Sequence, residues 1–117
     1  MSVNIPLIAN ARTVPLDLTV ATAVDVYESS NQLRGTLESM SVCNDSAGSV
    51  NFTLQLNDGA NLFKIYDVFP VASHTTLFIK DHSIQIPVGW QLEVIASAGN
   101  ALHVVAVIAE VSSVRSQ

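Results

Sequence analysis

The stretch Trp90-Gln91-Leu92-Glu93-Val94-Ile95-Ala96-Ser97-Ala98-Gly99-Asn100-Ala101-Leu102-His103-Val104-Val105-Ala106-Val107-Ile108-Ala109-Glu110-Val111 decides how the chain is read. Gly99-Asn100 separates two runs rich in β-branched residues, the composition of a two-residue loop joining antiparallel strands. Pairing outward from it opposes Ala96 with His103, Val94 with Val105, Leu92 with Val107 and Trp90 with Ala109. Opposed residues share a face, and this set is expected to be the core face. The final strand then turns Leu102, Val104, Ala106 and Ile108 outward, which a strand solvated on one side does not do. Two coverings stay open: a loop or the N-terminal arm of the same chain, or another subunit. On the second reading Leu102, Val104, Ala106 and Ile108, with Ile95, form an oligomer interface. Left bare, the run from Val104 to Ala109 is prone to aggregation.

The rest of the chain has the same period of two. Leu16, Leu18, Val20, Thr22, Val24 and Val26 alternate with Asp17, Thr19, Ala21, Ala23, Asp25 and Tyr27 as in one half-buried strand. Val50, Phe52, Leu54 and Leu56 alternate with Asn51, Thr53 and Gln55. From Leu33 to Asn44 the apolar parity switches between Leu37 and Met40, which predicts a β-bulge near Glu38–Ser39. Further strands are expected at Phe63–Phe69, Thr75–Lys80 and Ser83–Ile86. Ser29-Ser30-Asn31-Gln32, Asn44-Asp45-Ser46-Ala47-Gly48 and Asn57-Asp58-Gly59-Ala60-Asn61 are turn clusters, and Ile86-Pro87-Val88-Gly89 suits a type I turn. No helical stripe competes. The expected fold is all-β: a single-domain antiparallel β-sandwich, jelly-roll-like, of about eight strands. Residues 16–117 form the sandwich. Residues 1–15, with Val3, Ile5, Leu7 and Ile8 as apolar contacts and Pro6 and Pro15 against a central strand, read as an arm or edge strand.

Composition narrows the function. The 117 residues are 49% hydrophobic but only 13% charged, about half the usual charged fraction of roughly 25%. Uncharged polar residues or other subunits must therefore cover much of the surface. Five basic and ten acidic residues leave a net charge of −5, which gives no footprint for nucleic acid or an anionic membrane. One cysteine, Cys43, excludes an internal disulfide framework and suits a reducing compartment; it reads as a buried structural thiol. The N-terminus has no signal-peptide pattern. The longest uncharged run, Val94 to Ala109, is 16 residues, short of the ~20 of a membrane helix.

Catalytic chemistry finds no foothold. There is no G-x-S-x-G elbow, and His74, His82 and His103 lack metal-ligand spacing; a site from His74, His82 and Asp81 would have to be assembled by folding. No carboxylate pair is singled out. Asn51-Phe52-Thr53 matches a glycosylation sequon without a secretory context, and Asn57-Asp58-Gly59 lacks the further oxygen ligands of a calcium loop. Trp90, Tyr27 and Tyr66 would make a sugar-stacking platform only if exposed together. The chain is expected to have no enzymatic activity and no cofactor.

The segment order from Val24 onward resembles that of small β-sandwich accessory structural proteins of tailed-bacteriophage virions. The residues carrying this are Val24-Asp25-Val26-Tyr27, Leu37-Glu38-Ser39-Met40-Ser41-Val42-Cys43-Asn44, Ser49-Val50-Asn51-Phe52-Thr53-Leu54-Gln55-Leu56, Ile84-Gln85-Ile86-Pro87-Val88-Gly89-Trp90 and the closing Ala96-Ser97-Ala98-Gly99-Asn100 segment. The resemblance spans about three quarters of the chain and rests on strand spacing and turn residues. It implies a non-enzymatic virion protein: a capsid decoration (cement) subunit, or an adaptor or receptor- or glycan-binding module at a tail fibre or baseplate. It further implies a homo-oligomer, often a trimer, with the major capsid protein or another virion protein as partner, assembled in the host cytoplasm.

Overall fold

Alternating β-branched and polar residues, punctuated by clusters of Asn, Asp, Gly and Pro, favour strands joined by turns. The structure, a computed structural model, describes residues 3–4, 7–29, 33–80, 83–112 and 115–116. Its strands are β1 (Val3–Asn4), β2 (Leu7–Asp17), β3 (Val24–Glu28), β4 (Leu33–Asn44), β5 (Val50–Asn57), β6 (Leu62–Val71), β7 (Thr75–Ile79), β8 (Ile84–Ile86), β9 (Gln91–Ala96), β10 (Leu102–Ser112) and β11 (Arg115–Ser116). One sheet has the order β2-β10-β4-β7, with β8 also on β4; the other has β3-β9-β5-β6; β1 and β11 pair with each other. Every pairing is antiparallel. This is the strand order of a jelly roll. The fold class expected from the sequence is the one observed.

Two expectations fail for one reason. The run from Leu16 to Tyr27 is not a single strand: β2 ends at Asp17, and the chain crosses to the other sheet before β3 begins at Val24. Likewise β9 and β10 are not a hairpin, because β9 pairs with β3 and β5 while β10 pairs with β2 and β4. The two crossings run side by side. Leu18 N–H donates to Leu102 C=O (3.0 Å), and Asn100 N–H donates to Leu18 C=O (2.8 Å). Leu18 itself is buried at this end. A Cβ on Gly99 would lie 2.5 Å from the Thr19 carbonyl oxygen, and Asn100 has a left-handed φ of 62°, which Asn tolerates better than most residues. Gly99-Asn100 therefore serves a close crossing of loops rather than a hairpin turn.

With the hairpin gone, the faces of β10 exchange. Leu102, Val104, Ala106 and Ile108 are all fully buried in the core, together with Leu92, Val94 and Ala96 of β9 and Phe52 and Leu54 of β5. They present no surface for an oligomer, so the interface expected on them is corrected: these residues meet the opposite sheet of their own chain. Trp90, expected in the core, is partly buried and packs against its margin. The expected bulge in β4 is present. Val107 pairs with Ser39 and Ile108 with Leu37, leaving Glu38 as the extra residue, and Leu37, Met40 and Val42 all point inward.

The turn after β4 hangs on one buried side chain. Asn44 donates from Nδ2 to Gly48 C=O (2.9 Å) and Val71 C=O (2.9 Å), and its Oδ1 accepts from Ser46 N–H (2.9 Å) and Ser46 Oγ (2.7 Å). All four bonding positions of the amide are filled. The N-terminal segment is part of the sheet, since β2 pairs with β10 from Asp17 to Leu7 with no break at Pro15–Leu16. Pro15 is accommodated because β2 is an edge strand.

Ile108→Ala is expected to cost about 2–5 kcal/mol, as for a buried aliphatic truncation, read as a lower urea midpoint. A change within ~0.5 kcal/mol, typical of surface positions, would return this face to solvent.

Candidate assembly surfaces

The outer faces of the two sheets differ in kind. On the β3-β9-β5-β6 sheet, Asp25, Glu93, Gln55 and Lys64 lie in one cross-strand row. Gln55 Nε2 donates to Glu93 Oε1 (2.8 Å), Asn57 Nδ2 to Glu93 Oε2 (3.1 Å) and Gln91 Nε2 to Glu28 Oε2 (2.8 Å). Burial first, then the neighbouring Glu93 and Glu28 charges, raise the pKa of Asp25 from its ordinary value. Glu93 and Gln55, on the outward parity, are nonetheless buried because their neighbours crowd and bond them. This face ties most of its polar groups to one another, with the buried Gln55 Oε1 left without a partner among the described residues.

The outer face of the β2-β10-β4-β7 sheet is bland by contrast. Register puts Pro15, Val105, Ser41 and Phe78 in one row and Thr13, Val107 and Ser39 in the next. Neither row contains a charge. Val105 is 40% and Phe78 65% exposed. Charges enter at the margins: Glu38 at the bulge, and Asp17 with His103 in the row Asp17–His103–Cys43–Thr76. The low charge of the composition is thus concentrated on one sheet face, of opposite parity to the expected interface.

At one end of this face His103 ties three segments together. Its Nδ1 lies 2.6 Å from Asp17 Oδ1 at the end of β2, and its Nε2 lies 2.8 Å from Asp45 Oδ2 in the turn after β4. Only the imidazolium donates from both nitrogens. Hydrogen bonding to Asp17, then to Asp45, accordingly raises the His103 pKa against a smaller opposing effect of burial. Towards the other end, Tyr27 of β3 reaches across the sandwich and donates from its hydroxyl to Glu110 Oε2 (2.9 Å). Arg12 lies over the Tyr27 ring at 5.6 Å and 3.8 Å from Glu110 Oε1. Burial, then Glu110, pushes the Tyr27 pKa up to about 12. Gly35 makes room for the ring, since a Cβ there would fall 2.5 Å from it.

The remaining candidates separate. Trp90 stacks on Phe63 (5.5 Å, 11°) and Tyr66 meets Phe69 edge-on (5.5 Å, 82°), whereas Tyr27 is buried; the three rings form no common platform. Cys43 is half-buried rather than buried. Ile95 is half-buried and pairs with Thr53 on the polar sheet. Val3, Leu7 and Ile8 occupy strand positions, while Ile5, Asp81, His82 and residues 30–32 lie outside the described residues. Among the described residues no group of three His, Cys, Asp or Glu converges as a metal site. Asp58 is used by its turn, accepting from Ala60 N–H (2.8 Å) and Asn61 N–H (2.6 Å), which lowers its pKa. The uncharged sheet face escaped sequence reasoning, because its four strands come together only once the pairing is known.

No protein-family profile and no curated protein sequence matches the chain. Solved structures do. A subunit of Bacillus endospore appendages, described as a novel family of disulfide-linked pili, matches with a TM-score of 0.52 at 11% identity, over 97% of this chain and 91% of that one. A chain of the IBDV viral particle, an icosahedral virus, matches with a TM-score of 0.51 at 9% identity, over 89% of this chain and 31% of that one. The chain thus spans about a third of the length of that viral protein. A pentameric capsid protein from metagenomic phage sequences matches with a TM-score of 0.40 at 12% identity, over 89% of this chain and 62% of that one. The first two share the jelly-roll fold with this chain.

Because the pKa of His103 is raised on folding, its contribution is fully present below the unfolded value near 6.5 and is lost as pH rises through the folded value. Urea midpoints of the wild type are expected to fall relative to those of His103→Gln as pH is raised from 6 to 9. Parallel pH profiles for the two proteins would show that the bridge does not titrate.

Proposed function

We propose that this chain is a non-enzymatic structural subunit of a bacteriophage virion, a capsid decoration (cement) protein that stabilises the head by docking an uncharged sheet face onto the capsid lattice. The observation that carries the reading is the inequality of the two outer faces. One is laced with hydrogen bonds among its own polar groups; the other offers Pro15, Val105, Val107 and Phe78 without a charge between them. Desolvating the second face costs less than desolvating charges, since its rows are apolar apart from the hydroxyls of Thr13, Ser39 and Ser41, which the partner must hydrogen-bond. A protein that binds only the assembled shell raises its stability by mass action. The jelly-roll fold shared with particle- and fibre-forming proteins agrees with this role, and so does the sequence resemblance. The major capsid protein is the partner this reading names, and a homo-oligomer, in the resemblance a trimer, is the unit that docks.

The alternative is a tail-fibre or baseplate module that binds a receptor or glycan, and the stacked Phe63–Trp90 pair at the surface favours it. Mass spectrometry and electron cryomicroscopy of purified virions separate the two. Regular density on the head lattice is the expected result, density confined to the tail supports the alternative, and absence from the particle overturns both. Val105→Lys and Phe78→Lys are expected to abolish retention on heads while shifting stability by no more than ~0.5 kcal/mol. Heads that keep either variant would rule out this face as the docking surface.

A further inference from the structure

The strand Leu62-Phe63-Lys64-Ile65-Tyr66-Asp67-Val68-Phe69 of β6 has an unusual surface. It is the edge of its sheet, pairing with β5 alone among the described strands. Leu62, Phe63, Ile65, Val68 and Phe69 are all 38–56% exposed. Together they offer roughly 450 Å² of apolar surface if a full side chain of this size exposes about 200 Å², the scale at which a patch marks a contact site. Exposed apolar edges are an aggregation hazard that proteins normally blunt. Val68 adds a second oddity, a β-branched residue with a left-handed φ of 50°. Such strain persists where the surroundings impose it and gathers at functional positions.

The order of side chains states what fits this edge. Reversed end to end, the stretch keeps its apolar positions and exchanges its two charges. An antiparallel two-fold between Ile65 and Tyr66 opposes Leu62 with Phe69, Phe63 with Val68 and Lys64 with Asp67 of the second copy. No other antiparallel register opposes the two charges, and parallel alignment in the same register sets Lys64 against Lys64. Bulges in the pairing with β5 fall between Lys64 and Tyr66 and between Tyr66 and Phe69. Within one copy they bring Lys64 to 3.8 Å from Asp67, so a two-fold would gather four charges of alternating sign between two apolar flanks.

Resting on the reading of the chain as an assembly subunit, we infer that β6 is an isologous contact between copies of this chain, its antiparallel register selected by Lys64 and Asp67. Two such edges carry roughly 900 Å² of exposed apolar surface between them, an upper bound on the apolar area the contact covers; main-chain hydrogen bonds along the edges and the polar rim bring it toward the ~1,000 Å² that a specific interface requires. Like charges at the centre of the wrong register oppose it, which is how specificity is secured against open-ended edge pairing.

Analytical ultracentrifugation of the full chain across a concentration series tests this. Wild type is expected to reach twice the mass of its basal species. Lys64→Glu and Asp67→Lys each place like charges across the two-fold and are expected to weaken the doubling more than tenfold. An equimolar mixture of the two variants is expected to restore it, because each introduced charge then meets its opposite on the other chain. An intrachain ion pair cannot produce that rescue. Val68→Asn, which suits the left-handed backbone, is expected to raise the urea midpoint and weaken association. Doubling that persists in both charge variants, or a mixture that stays at basal mass, overturns the β6 contact while leaving the virion test independent. A wild-type chain that never exceeds monomer mass overturns the contact and removes the support it takes from the assembly reading.

Discussion

Everything in this fold depends on which way β10 faces. It is a central strand of its sheet, paired along its length with β2 on one side and β4 on the other. Leu102, Val104, Ala106 and Ile108 are fixed inward because the opposite sheet supplies Phe52, Leu54, Leu92 and Val94 to meet them. A shift of one residue would send all four out and bring His103, Val105, Val107 and Ala109 in. His103 would then leave Asp17 and Asp45, and an ionisable ring would enter an apolar core. The inward set and the His103 bridge thus enforce the same register from opposite faces.

The two outer faces follow from that choice. Once the parity of β10 is set, its outward Val105 and Val107 take their neighbours from β2, β4 and β7, and these are Pro, Ser, Thr and Phe rather than charged residues. On the other sheet the outward row gathers Asp25, Glu93, Gln55 and Lys64 from four separate strands. A chain with few charges gathers several of them on a face where they bond to one another, which leaves the opposite face nearly neutral. The composition that stands out in the sequence is therefore a property of one surface, not of the molecule at large.

Local features were legible where local physics decides them. The bulge at Glu38 showed as a break in parity, the Asn44 turn as a polar cluster, and the run from Val50 to Leu56 as clean alternation. The crossings did not show, because alternation continues through them: Leu18 and Val24 keep the rhythm although six residues between β2 and β3 form no strand. The faces of β10 were equally hidden. Both are apolar, so periodicity supplies two parities and no means of choosing, and the choice comes from partners far away in sequence. Gly99-Asn100 misled for a related reason. A left-handed Asn beside a glycine suits a hairpin turn and a close crossing of loops alike.

The placement of the two central strands bears on how the molecule is made. β9 and β10, each the middle of a sheet, both come from the last quarter of the chain. A growing polypeptide must therefore hold β2 through β7 without the strands that would join them into sheets. Its partly built halves present unpaired edges and bare valines and leucines until β9 and β10 have been made. Long-range pairing of this kind is slow and exposes intermediates to aggregation. Loss of β10 would then remove the seam of the sandwich rather than a dispensable edge, and neither sheet can close before both of these late strands have been made.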